Sequence, residues 1–195
     1  MEGVLTAGEA PAGAASCLDA ALAQAQTGGP EAFEPVLEQA EGPVLGLAWR
    51  LLGDRDLARD AAQEVFLRVY RALGAYRPGE GGHAWMYRIT VNVCADLARK
   101  RGPVPVDLDE ASHAAPGRSA EEALLHAERR SLVRRALAEL TPAERAAVVL
   151  RDLEGLSAPE AAQVLGVRPV TVRSQASNGR AKLLARMRAL TGGGR

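Results

Sequence analysis

The chain has 195 residues with 24 basic and 24 acidic side chains, hence no formal net charge, and its 47% hydrophobic content suffices for one compact core or two small ones. Aromatic content of 4% beside abundant Ala, Leu and Arg predicts helices rather than sheets. Cys17 and Cys94 are too few and too distant for a disulfide framework, and with His83, His113 and His126 in unrelated contexts no metal-ligand spacing is present. No apolar run approaches the roughly 20 residues of a membrane span and the N-terminus lacks a secretory pattern, so a cytoplasmic chain without membrane insertion is expected.

The zero net charge conceals a polarity. Residues 1–49 carry Glu2, Glu9, Asp19, Glu31, Glu34, Glu38 and Glu41 and no Lys or Arg, whereas from Arg168 onward every charged side chain is basic. Residues 1–30 are rich in Ala and Gly and close on Gly28-Gly29-Pro30. Ser16 to Gln26 is compatible with a helix, but so few bulky apolar groups do not offset ordering entropy, and a flexible extension is expected. From residue 31 the pattern changes: Phe33, Val36, Leu37 and Ala40 recur at helical spacing, and after Gly42-Pro43 so do Val44, Leu45, Leu47, Ala48, Leu51 and Leu52, which predicts two core-forming helices.

Asp54 or Asp56 caps the next predicted helix, Leu57 to about Leu73, stopped by Gly74. Leu57, Ala61, Ala62, Val65, Val69 and Leu73 form its buried stripe, leaving Asp60, Gln63, Glu64, Leu67, Arg68 and Arg71 outside. By itself such an acidic and amide patch reads as a solvated face. Residues 75–83 form a loop rich in Gly and Pro. A long helix follows from Ala84 to Arg101, with Trp85, Met86, Ile89, Val93 and Leu97 on one face and Arg88, Asn92, Arg99, Lys100 and Arg101 supplying donors. Tyr76, Trp85 and Tyr87 interleaved with arginines beside a loop can hold an unstacked base, although aromatics at helical spacing more often belong to a core, as Trp85 is expected to. Residues 102–119 hold Pro103, Pro105 and Pro116 with Asp107, Asp109 and Glu110, an acidic linker.

After it, Ser119 caps a helix through Leu137. Thr141-Pro142-Ala143-Glu144 and Ser157-Ala158-Pro159-Glu160 each place an N-cap hydroxyl, an early proline and a glutamate at the third helical position, so two further helices open with their free N–H groups satisfied. Gly166 stops the second, Val167 and Arg168 complete the turn, and Pro169 opens a last helix. Ala162, Gly166 and apolar contacts at Ala161, Leu165, Val167 and Val172 make this a helix-turn-helix; the plainer alternative is a helical hairpin that only packs. Its cations, Arg168, Arg173, Arg180, Lys182, Arg186, Arg188 and Arg195, suit phosphates.

The blocks Asp60 to Arg68, Ala84 to Asn92 with Asp96, Leu140 to Arg145, Leu150 to Ser157 and Thr171 to Ser174, in this order and spacing, resemble the extracytoplasmic-function group of bacterial sigma factors over about Phe33 to Arg188. The resemblance implies an all-α chain of two small helical domains, region 2 (31–101) and region 4 (120–191), joined by the flexible linker 102–119 and preceded by the extension 1–30. It implies core RNA polymerase, promoter DNA and an anti-sigma factor as partners, with no cofactor, no metal and no enzymatic activity. Asp60, Gln63, Glu64, Leu67 and Arg68 would meet core polymerase. Tyr76, Arg77, His83, Arg88, Asn92, Arg99, Lys100 and Arg101 would serve the minus-ten element, and Arg168, Thr171, Arg173, Ser174, Gln175, Ser177, Asn178, Arg180 and Lys182 the minus-thirty-five element. The linker is similar to the family segment that passes the polymerase active site, where negative charge can imitate nucleic acid.

Two departures bear on specificity. Gly81 and Gly82 stand where the family has bulk before Ala84-Trp85, implying a more flexible base-reading loop. Gln175-Ala176-Ser177-Asn178 lacks the usual cations, leaving amides that pair with adenine edges at about 1–3 kcal/mol of discrimination each. A helix-turn-helix regulator acting without polymerase, or a sigma-like module that only engages an anti-sigma partner, are the alternatives.

Overall fold

The computed structural model describes residues 12–79, 81–101 and 132–192, with side chains described over 17–189 of these; the expected acidic linker and the Ser119 cap lie outside the described residues. Every regular element among them is a helix. In chain order these are α1 (Ala12–Thr27), α2 (Glu34–Leu52), α3 (Arg55–Ala72), α4 (Gly82–Arg101), α5 (132–138 where described), α6 (Pro142–Val148, widening into a π turn over Val149–Leu153), α7 (Ala158–Leu165) and α8 (Pro169–Gly192). Short 3-10 turns, Pro30–Phe33 and Leu73–Ala75, precede α2 and follow α3.

Helices α1 to α4 enclose one core. Val65, Val69, Val36, Val44, Met86 and Val93 are almost wholly buried there. The structure differs from the expected flexible extension over residues 12–27, which form α1 and join this core. Leu18 and Leu22, one turn apart, retain 1% and 0% exposure, and Ala21 and Ala25 beside them let the helix approach closely. Fully burying a leucine is worth about 1.5–3 kcal/mol; two complete burials do what a count of bulky residues did not foresee.

The expected break at Gly42-Pro43 is also absent, and α2 runs unbroken through Pro43. Val36, Ala40, Val44, Leu47 and Ala48 are buried along one stripe that spans the proline. That continuous burial offsets the roughly 3 kcal/mol cost of proline inside a helix.

A second core lies among α5 to α8, built on Leu137, Leu140, Val148, Leu150, Ala161, Val164, Val172 and Ala176. Leu47 of α2 and Tyr87 of α4 belong to it too, so the halves share side chains. Glu154 seals the seam: its side chain is 9% exposed, one oxygen 2.5 Å from Arg50 and the other 2.9 Å from the Tyr87 hydroxyl. Burial, then the Glu154 charge, raises the Tyr87 pKa, so this hydroxyl stays a donor. Arg145 adds a second link, donating to Leu51 O at 2.7 Å while it also caps α5 through Leu137 O and Ala138 O. Arg134 of α5 sits 5.1 Å from the Trp49 ring of α2.

Candidate nucleic-acid interface

The outer face of α3 follows from its buried stripe. Asp54 caps the helix, accepting from Leu57 N at 2.9 Å, and Ala58, Ala61, Ala62, Val65 and Val69 turn inward. Asp60 and Gln63 are therefore exposed, as is Leu67 at 51%. Arg68 does not project freely: its guanidinium lies 2.7 Å from Glu64 and 3.2 Å from Asp96 of α4. The five predicted side chains share one helix, but two of them form an internal pair.

The loop after α3 and the start of α4 bound a cleft of about 510 Å³ lined by Ala75, Tyr76, Arg77, Ala84, Trp85, Arg88, Gln163 and Val164. Three of the predicted residues meet here, Tyr76, Arg77 and Arg88. Tyr76 is 3% exposed, packs 5.0 Å from the Trp85 ring and donates its hydroxyl to Asp19. It is thus a wall of the cleft rather than an exposed stacking platform. Trp85, expected in the core, packs against it as a partly buried side chain and also lines the cleft. His83 packs 6.1 Å from Tyr87, facing the seam.

Along α4 beyond the cleft, Asn92, Arg99, Lys100 and Arg101 are exposed. Arg99 pairs with Asp96, and Arg101 with Asp54. These arginines hold the Asp96 and Asp54 carboxyls below the ordinary carboxylate range. Cys94, inward on the same helix, has its thiol pushed up to about 12 by burial and offers no thiolate chemistry.

The second half carries the helix-turn-helix as read from the sequence. Both capping boxes are formed, Thr141 with Glu144 and Ser157 with Glu160, and Gly166 takes the left-handed conformation at φ 65°. Val172, Ala176 and Gly179 face inward on α8, turning Arg168, Val170, Arg173, Ser174, Ser177 and Asn178 to the surface, with Thr171 and Gln175 half-buried. The cations divide. Arg180 makes a bidentate pair with Asp152 at 2.8 and 2.7 Å, and Lys182 binds both Glu144 oxygens at 2.7 and 2.8 Å. Arg186 Nε lies 2.7 Å from Glu139, at an angle too poor for a hydrogen bond. Arg180 and Lys182, predicted as phosphate contacts, thus fasten α8 to α6 and the π turn.

Several structural partners were not among the predicted residues. Glu144 was legible as a capping residue, but that it also receives Lys182 was not. Asp19, Gln26 and Glu154 bind groups far away in sequence, and no local pattern announces them. Among the described residues no group of His, Cys, Asp and Glu could hold a metal ion, and no helix is long and apolar enough to cross a membrane.

Comparison with known proteins finds Sigma-70 region 2 over residues 36–103 and Sigma-70, region 4 over residues 130–183. The ECF RNA polymerase sigma factor SigE of Mycolicibacterium smegmatis is 38% identical over 159 residues, covering 77% of this chain; the aligned part spans 60% of that protein's length. The RNA polymerase sigma-H factor of Pseudomonas aeruginosa is 34% identical over 160 residues, 77% of this chain and 83% of that protein. CnrH, solved in complex with the cytosolic domain of CnrY, matches with a TM-score of 0.65 at 29% identity, covering 89% of this chain and 98% of CnrH. The Bartonella quintana sigma factor RpoE, solved with the anti-sigma factor NepR, shares the fold with a TM-score of 0.65 at 22% identity, covering 84% of this chain and 98% of that one.

Proposed function

The chain belongs to the extracytoplasmic-function family of RNA polymerase sigma factors, and we propose that in the cytoplasm it binds core RNA polymerase and directs it to promoters through two DNA-reading surfaces. The observation that carries this reading is their coexistence in one chain: a cleft with aromatic and arginine walls at the head of α4, and a helix-turn-helix whose α8 turns a polar face outward.

Each surface suits its own form of DNA. Extruding a base costs a few kcal/mol of stacking and pairing. The cleft beside Trp85, with Arg77 and Arg88 at its rim, can offset that cost for a minus-ten base, and Asn92, Arg99, Lys100 and Arg101 continue the track along α4. The exposed start of α8 suits the major groove of duplex DNA, with Arg168 and Arg173 for phosphates and Ser174, Gln175, Ser177 and Asn178 for base edges. Asp60, Gln63 and Leu67 form the surface for core polymerase, with Glu64 and Arg68 as its paired edge. An anti-sigma partner fits the same reading.

The test is transcription in vitro. Added to core polymerase on genomic DNA, the protein should produce discrete starts preceded by two shared upstream elements; random starts, or no gain over core alone, would refute the reading. Replacing Asp60 and Glu64 together by Ala should weaken core binding. Fold stability should change by no more than about 1 kcal/mol, because Asp60 is exposed and loss of the partly exposed Glu64–Arg68 pair leaves Arg68 still held by Asp96. Unchanged core affinity would remove α3 from the interface.

A further inference from the structure

Helix α1 grips the wall of the α4 cleft at two points. Gln26 Nε2 donates to Leu73 O at 2.7 Å and to Tyr76 O at 2.6 Å, where the loop begins. Where it ends, Asp19 Oδ1 accepts from Gly82 N at 2.9 Å, and the same oxygen accepts from the Tyr76 hydroxyl. Asp19 and Gln26 lie two turns apart on one face of α1, which is seated by the buried Leu18 and Leu22. Gly82 completes the fit: a Cβ there would come within 2.8 Å of Leu22 Cδ1 and 3.3 Å of Asp19 Oδ1. Between the two grips Gly79 and Gly81 hold φ of 89° and 86°, conformations that glycine permits but does not enforce.

We propose that Asp19 and Gln26 are positioning residues for base recognition, making α1, which lies outside residues 36–103 matched by Sigma-70 region 2, part of the minus-ten reader. The proposal rests on assigning this cleft to the minus-ten element. A pocket discriminates only if its walls are held to within about 0.5 Å. Tyr76 and the loop are held through α1: Asp19 fixes the Tyr76 hydroxyl, Tyr76 backs Trp85, and Gln26 fixes the Tyr76 backbone. The glycines at 81 and 82, which by sequence imply a loose loop, admit α1 closely enough to tie that loop down.

The experiment selects single-stranded DNA of random sequence on protein bound to core polymerase and sequences what is retained. Wild type should enrich a motif. Tyr76→Phe should flatten the preference at the extruded base by about fivefold, the worth of one ordinary hydrogen bond, and Asp19→Ala and Gln26→Ala, which each remove two, should flatten it further. Asp19→Asn, whose amide oxygen still accepts both hydrogen bonds, should restore it. A merely structural role would reduce the amount of core-bound protein without changing the motif it selects. If wild type and all three variants select one motif with equal sharpness, the proposal fails while the cleft assignment stands; if wild type selects no motif, both fail.

Discussion

The two surfaces proposed to read DNA spend their cations differently. On α8 the reader face keeps Arg168 and Arg173, while Arg180 and Lys182 further along are bound by Asp152 and Glu144 on neighbouring elements. At the head of α4, Arg77 and Arg88 line the cleft, and further along the carboxylates Asp96 and Asp54 take up Arg99 and Arg101. A run of basic residues in sequence is therefore not a run of phosphate contacts. At the far end of α4 a carboxylate three residues away and another from the start of α3 thin the charge; in the second half distant carboxylates use it to pin α8.

Lifting α8 off α6 should have the largest effect. A Cβ at Gly179 would stand 2.6 Å from Val148 Cγ2 and 3.4 Å from Glu144 O. Gly179→Val should destabilise the second half by about 1–3 kcal/mol, the usual cost of overpacking, and should separate Lys182 from Glu144. Thermal melting with a signal from each half measures it, and an unchanged midpoint in the second half would show that α6 and α8 yield freely.

Salt dependence sharpens the contrast within α8. Arg173→Ala should lower the slope of log affinity against log salt for duplex promoter DNA by about 0.9, the signature of one phosphate contact. Arg180→Ala should leave that slope unchanged, and as a partly exposed pair its loss should cost only about 0.2–1 kcal/mol of stability. Equal slopes for the two variants would mean that Asp152 releases Arg180 to DNA.

The smallest effect is on acid stability. Hydrogen bonds from the Lys182 ammonium, then from Thr141, hold the Glu144 carboxyl below its ordinary value of 4.5. A depressed carboxyl stabilises the folded chain fully above its unfolded pKa and loses that contribution as pH falls through the lowered folded value. Lys182→Met should therefore lower the neutral plateau slightly and flatten the acid limb below pH 4.5, so that the two stability curves converge where Glu144 is protonated in both proteins. Urea unfolding of both proteins at a series of pH values measures the gap, and a gap that stays constant on acidification would remove Glu144 as its source.

What could be read in advance was local. The two capping boxes, the Gly166 stop and the exposure of Asp60, Gln63 and Leu67 on α3 depend on residues within one or two turns, and the structure places them as predicted, whereas the pairing of Arg68 with Asp96 of α4 was not foreseen. The continuity of α2 through Pro43 depends on a buried stripe that only tertiary packing completes. A helix over Ser16 to Gln26 was compatible with the sequence, but its place in the core was not legible, since its seat is Gly82 and its hydrogen-bond partners include Leu73 and Tyr76, about fifty residues on. The cation allocation on α8 was hidden for the same reason: Arg180 and Lys182 find their carboxylates 28 and 38 positions earlier in the chain.

Leu47 and Tyr87 are the side chains that cross from one half into the other's core. Cutting the chain after Arg101 would leave the α1 to α4 core intact but bring Leu47 and Tyr87 into water beside Leu51 and Val91, which also pack at that seam. The isolated half should therefore fold and then self-associate, burying in a neighbour the patch it normally gives to its own chain. Its handling in solution would depend on concentration in a way the whole chain's does not.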